Sequence, residues 1–150
     1  MTYAKTVTLF DRSFVIRSDG TAITALQQGT TESEASCPVL EAAAQQLREY
    51  EAGTRTGFTL PLAPSGTAFQ QQVWAALLEI PCGETRAYGE IAAAIGKPEA
   101  AQAVGMACNK NPILLLIPCH RIIGKGGKLT GYAAGLELKE QLLNLEKRSI

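Results

Sequence analysis

The most constraining stretch of this chain is an apolar run that ends in three reactive side chains. Residues 112–118 read Pro-Ile-Leu-Leu-Leu-Ile-Pro, and Cys119, His120 and Arg121 follow directly. Five consecutive aliphatic residues are too many to leave in water and too few to span a membrane. The run therefore predicts a buried segment with a thiol, an imidazole and a guanidinium at its end.

Cys119 and His120 admit two interpretations. A cysteine attacks as its thiolate, and a neighbouring imidazole can take the thiol proton if the chain turns or a water bridges the two groups. Adjacent residues of a straight strand point to opposite faces, so a strand by itself would separate them. The alternative is a buried structural cysteine beside a hydrogen-bonded histidine, since free cysteine is among the most buried residue types. The surrounding residues are needed to distinguish a reactive pair from a structural one.

The composition is that of an ordinary globular protein with reduced thiols. The chain has 150 residues, of which 46% are hydrophobic and 19% charged, and its formal net charge is zero. Four cysteines without a CxxC pair and a single histidine predict no metal site, and no cofactor is expected. The absence of an N-terminal apolar core or a membrane-length run predicts a cytoplasmic protein without membrane contact. Residues 81–128 carry a surplus of basic side chains, which permits contact with nucleic acid.

Residues 1–62 predict a small domain of a sheet and a helix. Apolar and polar residues alternate around Val7 and Leu9, and turn signals divide residues 4–28 into short strands. From Pro38 onward, apolar residues repeat at helical spacing. A following segment with several glycines and prolines is typical of a linker into a second domain, residues 63–150.

The second domain is predicted to be mainly helical. Thr67 and Gln70 have the spacing of a capping box at the start of its first helix. Two short helices, at about 88–95 and 98–109, are joined by a tight turn that contains glycine. This arrangement is the pattern of a helix-turn-helix.

The second of these short helices carries small side chains. Ala101, Ala103 and Gly105 surround Gln102, and no row of long polar residues is present to read base edges. Small residues let a backbone come close to the narrow minor groove of DNA with little sequence preference. They would equally suit close packing against another helix, so both interpretations stay open.

The last helix, predicted from about 136 to 147, places a carboxylate near its buried face. Glu146 follows Leu142 by four residues and Leu143 by three, and a lone charge there is costly unless it is paired. It could orient His120 as the third member of a set of nucleophile, base and orienting residue. A glutamate turned into solvent at the helix end is the alternative.

Three features in order resemble the O6-alkylguanine-DNA alkyltransferases, or methylated-DNA–protein-cysteine methyltransferases. They are residues 117–123, Ile-Pro-Cys-His-Arg-Ile-Ile, the tight helical pair before them, and residues 131–136, Gly-Tyr-Ala-Ala-Gly-Leu. The resemblance covers residues 67–146. It implies an α/β protein with a small N-terminal ribonuclease H-like antiparallel sheet plus helix, followed by a mainly helical C-terminal domain with a helix-turn-helix.

The resemblance also implies direct-reversal DNA repair by a monomer. The protein would bind double-stranded DNA through the minor groove and flip an O6-alkylguanine, or an O4-alkylthymine, out of the stack. It would then transfer a methyl or small alkyl group to Cys119. The product is a stable thioether, so each molecule would act once.

By position, the resemblance assigns roles to individual residues. Cys119 is the nucleophile, His120 the base acting through a water, and Glu146 the residue that orients it, while Asn111 helps to hold this network. The expected substrate contacts are Tyr88, Tyr132, Ala133 and Leu114. The expected DNA contacts are Gln102, Ala101, Ala103, Gly105 and Arg121, and Arg121 is also expected to have a structural role.

Gln102 departs from the family pattern. The family usually has an arginine there, which replaces the flipped base in the stack. Glutamine can fill the gap and hydrogen-bond the orphaned cytosine, but it lacks the charge and the planar stacking surface of arginine. The substitution Gln102→Arg is therefore expected to raise the single-turnover repair rate.

Three other functions fit part of the sequence. An alkyltransferase-like lesion binder would grip alkylated DNA without repairing it, but that group has tryptophan in place of Cys119. A thiol hydrolase or acyltransferase with a Cys-His-Glu set would turn over many times and need no DNA-binding helices. A helix-turn-helix regulator would normally dimerise and read bases, which the alanine-rich helix and the zero net charge disfavour.

Overall fold

The computed structural model describes residues 2–148, which form an α/β arrangement. Its strands are β1 (Tyr3–Leu9), β2 (Arg12–Ser18), β3 (Ile23–Gln28), β4 (Arg86–Ala87) and β5 (Ile122–Ile123). Its helices are α1 (Pro38–Glu51), α2 (Ala68–Leu78), α3 (Tyr88–Ala94), α4 (Ala101–Asn109) and α5 (Leu136–Arg148), with short 3-10 turns at Cys119–Arg121 and Lys125–Gly127. The chain divides into two compact units, residues 2–65 with 112–116 and residues 66–111 with 117–148.

The first unit is a three-stranded antiparallel sheet covered by one helix. The strand order is β1-β2-β3, and α1 contacts all three strands. Val7 and Leu9 are buried at alternate positions of β1, as predicted. The buried residues of α1 repeat at the helical spacing expected from the sequence, and they are Leu40, Ala43, Ala44, Leu47 and Tyr50.

The apolar run at 112–116 belongs to this unit as well. The N–H of Leu26 donates to the carbonyl of Pro112, and the N–H of Leu114 donates to the carbonyl of Leu26, each at 2.9 Å. Leu115 adopts a φ of +70°, a left-handed conformation that is unusual for leucine. Residues 113–117 are all buried, so the predicted buried segment is confirmed, and it bends before the reactive residues are reached.

The second unit is mainly helical. α2 begins with the predicted capping box, in which Gln70 N donates to Thr67 Oγ1 (3.1 Å) and Thr67 N donates to Gln70 Oε1 (2.9 Å). α4 packs against α2 and α3, and the indole N–H of Trp74 donates to the carbonyl of Ala107 at 3.0 Å. A parallel pair formed by β4 and β5 holds the chain directly after the turn that contains Cys119.

A tight turn joins α3 and α4, but α4 begins later than the sequence predicts. Gly96 adopts a φ of +78° after α3, which glycine tolerates without strain. The helix starts at Ala101 rather than at Pro98, because the chain first closes a turn in which Ala100 N donates to Lys97 O at 2.9 Å. The predicted start is therefore wrong by three residues, which fall in this turn.

Residues 2–148 lack two features that would indicate a membrane-spanning or metal-binding role. None of the helices in that range combines the length and the apolar character needed to cross a bilayer. The same range contains no cluster of three or more His, Cys, Asp or Glu side chains arranged to hold a metal ion.

Candidate functional site

A single 3-10 turn, Cys119–Arg121, presents the three reactive side chains. It is closed by hydrogen bonds from Cys119 N to Ile117 O (2.8 Å) and from Arg121 N to Pro118 O (3.0 Å). Since a tight turn changes the direction of each successive side chain within a few ångströms, neighbours in sequence can serve one site. The turn needed to bring Cys119 and His120 into one environment is present.

Glu146 on α5 binds both residues that follow the cysteine. Its carboxylate accepts a hydrogen bond from His120 Nε2 (2.7 Å) and two from Arg121, from Nε at 2.8 Å and from Nη2 at 3.0 Å. The third nitrogen, Nη1 of Arg121, donates to the carbonyl of Ile80 at 2.7 Å. Burial alone raises the pKa of Glu146, but the hydrogen bonds and charges of His120 and Arg121 outweigh it and hold the pKa at about 2. Glu146 is thus ionised and paired, not turned into solvent.

His120 is held as a neutral base. Complete burial lowers its pKa below the usual 6.5, an effect that Glu146 opposes. An ionised carboxylate can only accept, so Nε2 carries the ring proton and Nδ1 presents a lone pair. Nδ1 is buried without a hydrogen-bond partner among residues 2–148. The ring can therefore accept a proton at Nδ1 while Glu146 stabilises the resulting cation.

Cys119 is a protonated thiol at rest. Its side chain is buried, and the Nδ2 of Asn111 donates to its sulfur at 3.2 Å and to the carbonyl of Ile117 at 2.9 Å. Burial raises the pKa of Cys119 to about 11, although the Asn111 hydrogen bond and the charge of Lys139 oppose this effect. A base is needed to form the thiolate near neutral pH, and Asn111 would stabilise it once formed.

Tyr132 lies beside His120 in the same unit. The two rings pack edge to face with centroids 6.3 Å apart, and the Tyr132 hydroxyl is buried without a hydrogen-bond partner among the described residues. Burial raises the pKa of Tyr132 well above 10, so the hydroxyl is a neutral donor. Ala133 is exposed at the next position, whereas Leu114 lies in the first unit and is buried there.

Lys139 and Thr130 also belong to this part of the second unit, and the sequence analysis did not predict a role for either residue. Lys139 has no exposed surface, and its Nζ donates to the carbonyl of Thr130 at 3.1 Å. The Thr130 hydroxyl in turn hydrogen-bonds the Tyr88 hydroxyl at 2.6 Å. Spacing could have indicated Lys139, because it stands seven residues before Glu146 and so lies on the same face of α5. Thr130 carried no comparable signal.

The predicted DNA contacts on α4 differ in exposure. Gln102 and Ala103 are exposed, and Ala101 and Gly105 are half-buried. The packing of α4 falls to other residues, namely Val104, Ala107 and Cys108. Arg121 does not fit a surface role, because it is 7% exposed and its guanidinium bonds Glu146 and Ile80. This geometry agrees with the expected structural role of Arg121, and its expected DNA contact stays a prediction.

The second unit thus combines a buried thiol, a neutral imidazole with a free lone pair and an ionised carboxylate. Together these groups are suited to group transfer onto a cysteine that is activated in place. Because the base and the carboxylate are fixed by several buried hydrogen bonds, little reorganisation is needed for the proton transfer.

Comparison with known proteins identifies the family. A family model described as 6-O-methylguanine DNA methyltransferase, DNA binding domain, matches residues 68–148. The chain is 60% identical over 108 residues to the methylated-DNA–protein-cysteine methyltransferase of Methanosarcina barkeri, which covers 72% of this chain and 68% of that protein. The chain therefore belongs to the family of 6-O-methylguanine DNA methyltransferases, which are DNA-repair enzymes.

Solved structures agree with this assignment. The crystal structure of the Mycobacterium tuberculosis O6-methylguanine methyltransferase matches with a TM-score of 0.90 at 43% identity, covering 100% of this chain and 95% of that chain. The crystal structure of Mycobacterium tuberculosis OGT in complex with DNA matches with a TM-score of 0.91 at 44% identity, covering 98% and 94%. The small antiparallel sheet and the helices are thus those of a known family fold.

Proposed function

We propose that this protein repairs alkylated DNA by transferring a methyl or small alkyl group from O6-alkylguanine, and from O4-alkylthymine, to Cys119 in a single turnover. The observation that carries the proposal is the buried arrangement of Asn111, Cys119, His120 and Glu146 in a chain of this family. These residues supply a donor to the sulfur, the nucleophile, a neutral base and a carboxylate that stabilises the base when it is protonated.

The proposed reaction balances without a cofactor. Nδ1 of His120 takes the thiol proton of Cys119 through a water, and the thiolate attacks the alkyl carbon as the bond from that carbon to O6 breaks. The electron pair stays on the guanine, where the Tyr132 hydroxyl donates a hydrogen bond to the developing charge. The proton then passes from His120 to the guanine anion, which leaves normal guanine and a thioether on Cys119. Since a thioether offers no good leaving group, each molecule acts once.

Burial of the sulfur supports nucleotide flipping. Cys119 is 4% exposed, so a base stacked inside a duplex could not reach it. The target nucleotide must leave the stack and enter the site, as in other enzymes that act on bases. Tyr88, Tyr132, Ala133 and Leu114 remain the proposed contacts of the flipped nucleotide.

The α3–α4 pair is the proposed DNA-binding element. It would act as a helix-turn-helix whose second helix docks in the minor groove, with Gln102 filling the gap left by the flipped nucleotide. The exposure of Gln102 and Ala103 and the small size of Ala101 and Gly105 support this orientation. We further propose that a monomer acts, with residues 63–150 carrying both DNA binding and transfer and residues 1–62 forming a ribonuclease H-like domain.

Mass spectrometry of the protein after incubation with a duplex carrying one O6-methylguanine tests the proposal. We expect one methyl group per protein on the tryptic peptide 111–121, which contains Cys119 as its only cysteine, and an equal yield of restored guanine. Cys119→Ser should abolish the transfer, whereas Cys82→Ser should leave it intact. Tight binding of the lesion without any mass gain would contradict the proposal and indicate a lesion binder.

A further inference from the structure

A cleft in the second unit is lined by residues other than Cys119, His120 and Glu146. It is formed at the starts of α3 and α4 and at the 3-10 turn Lys125–Gly127, and its volume is about 530 Å³. Tyr88, Glu90, Gln102 and Lys125 supply its functional side chains. The cleft is therefore lined by Gln102, the proposed gap-filling residue, and by a lysine from a different segment.

Among residues 2–148, Lys125 is the one cationic residue that lines this cleft. Glu90 is the carboxylate that lines the cleft within the described part of the chain, and its Oε1 accepts the N–H of Ala87 at 2.9 Å as part of a helix cap. Lys125 is exposed, and its ammonium has no hydrogen bond or ion pair with any residue from 2 to 148. An exposed lysine without a partner that lines a cleft is well suited to bind an anion from outside the protein.

The backbone around Lys125 is held in place. Gly124 N donates to Lys128 O (2.8 Å), and Gly127 N donates to Gly124 O (3.1 Å), so the loop closes on itself. Gly126 and Gly127 adopt φ values of +74° and +81°, which glycine alone tolerates without strain. A fixed backbone lowers the entropy lost when Lys125 binds a ligand.

We propose that Lys125 binds a phosphate of the DNA backbone at this cleft and supplies the positive charge that the neutral Gln102 does not provide. The inference rests on the proposed function, because it takes duplex DNA as the partner. Two residues then divide two tasks: Gln102 fills space in the duplex, and Lys125 holds the strand by its charge. A lysine ammonium binds phosphate as a point charge and needs no base-specific geometry.

The salt dependence of DNA binding tests this assignment. Binding of duplexes with and without O6-methylguanine is measured by fluorescence anisotropy in the Cys119→Ser background, so that no transfer occurs. Lys125→Ala should lower the slope of log affinity against log salt by about 1 for both duplexes. Raising the salt from about 50 to about 200 mM should then cost the parent protein about three- to fourfold more affinity than the variant.

Lys128→Ala is the matched control. Lys128 is exposed in the same loop and carries the same charge, but it does not line the cleft. We expect it to change the slope by less than half as much as Lys125→Ala. Equal changes would overturn the assignment, because they would reflect the charge of the loop as a whole.

A double-mutant cycle tests the division of tasks. Gln102→Arg should raise the affinity by a larger factor in the Lys125→Ala background than in the presence of Lys125, because the new charge replaces a missing one. An equal gain in affinity in both backgrounds would contradict the proposal that Lys125 compensates for the neutral Gln102.

Methyl transfer in the protein that retains Cys119 is measured separately. If methyl transfer fails but the salt slopes of the parent protein and Lys125→Ala differ, the proposed function is contradicted and the role of Lys125 is not. If methyl transfer succeeds but the two slopes are equal, only the role of Lys125 is contradicted.

Discussion

The two compact units differ in what they bury. Within residues 2–148, the first unit buries one polar side chain, Ser18 at the end of β2. The second unit buries five polar or charged side chains, and they are Asn111, His120, Arg121, Lys139 and Glu146. Burying charge is costly unless the groups pair with one another. The desolvation of buried charges therefore destabilises the second unit unless they are paired, whereas the first unit buries no charged side chain among the described residues.

The unpaired atoms sharpen the contrast. Ser18 Oγ donates to Ala22 O at 2.6 Å and accepts from Gly20 N at 2.9 Å, so it is satisfied within its own turn. In the second unit, His120 Nδ1 and the Tyr132 hydroxyl are buried without a partner among the described residues. Buried polar atoms are almost always paired in folded proteins. The two exceptions are the atoms to which we assign the proton acceptor and the donor to guanine, so reactivity coincides with incomplete pairing.

The largest expected effect follows from Glu146→Gln. This change leaves the Arg121 guanidinium buried without a countercharge and replaces one of the two acceptor oxygens shared by His120 and Arg121 with an NH2 donor. The free energy of unfolding should fall by about 3–5 kcal/mol, as when one member of a buried ion pair is lost. Urea unfolding at pH 7 measures the fall, and single-turnover transfer should slow in parallel because His120 loses the charge that stabilises its cation.

Glu140→Gln provides the control for this substitution. Glu140 is exposed on the same helix, so its neutralisation should change the free energy of unfolding by less than about 0.5 kcal/mol. Equal effects of the two substitutions would show that the buried network adds nothing beyond the charge of the helix. The second unit would then not differ from the first in depending on buried charge pairs for its stability.

A smaller effect is expected on acidification. The pKa of Glu146 is about 2 in the folded protein against an ordinary 4.5, so its contribution is present above pH 4.5 and is lost as the pH falls towards 2. The shift corresponds to about 3 kcal/mol. His120, whose pKa burial lowers below 6.5, also favours folding above pH 6.5 and loses that contribution below it. Both groups predict acid destabilisation.

Unfolding of the parent protein and of Glu146→Gln across this pH range separates the two groups. The parent protein should lose stability in both windows. The variant should lack the loss below pH 4.5 that Glu146 causes. A variant that follows the parent curve at every pH would mean that exposed carboxylates, rather than Glu146, control acid stability.

Local signals predicted most of the fold, because helix caps, turns and periodicity depend on neighbours in the chain. The Thr67–Gln70 capping box and the stripe of α1 are confirmed for that reason. The pairing of β4 with β5 was not predicted, because each strand has two residues and the partners lie far apart in sequence. Short strands of this kind leave no periodic signal.

The candidate site could be predicted in part where the spacing of residues along a helix showed which of them share its buried face. Spacing placed Glu146 at the edge of the buried face of α5 and left a solvent-exposed position open. The resemblance assigned it to His120, and the hydrogen bond is present. Lys139 lies on the same face and was missed, since a lysine beside an apolar stripe normally extends its ammonium to water. The resemblance gave Arg121 a structural role as well as a DNA contact, but its partner Glu146 lies 25 residues away and is found only in the folded chain.

Lys139→Met should separate stability from reactivity. Burial lowers the pKa of Lys139, which indicates that its charge is costly to the folded state. Methionine has a similar length and no charge, so the free energy of unfolding should stay constant or rise by about 1–2 kcal/mol. Transfer should nevertheless slow by about tenfold, because the bond to Thr130 near Tyr132 is lost.

The pH–rate profile distinguishes Lys139 as a positioning residue from a merely structural one. The charge of Lys139 opposes the rise in the pKa of Cys119, so Lys139→Met should move the alkaline side of the profile to higher pH. Lys139→Arg, which keeps the charge, should restore its position. An unchanged profile together with lower stability would assign Lys139 to packing alone.

The smallest expected effect lies in the first unit. Ser18→Ala removes the two hydrogen bonds of the Ser18 hydroxyl, and the free energy of unfolding should fall by about 1 kcal/mol. Ser13→Ala, an exposed change in the same strand, should have almost no effect on urea unfolding. Neither variant should alter the single-turnover rate at saturating DNA, because the reactive groups belong to the second unit. A slower transfer in Ser18→Ala at unchanged stability would mean that the first unit takes part in the chemistry, and that the division between a stabilising core and a reactive one is wrong.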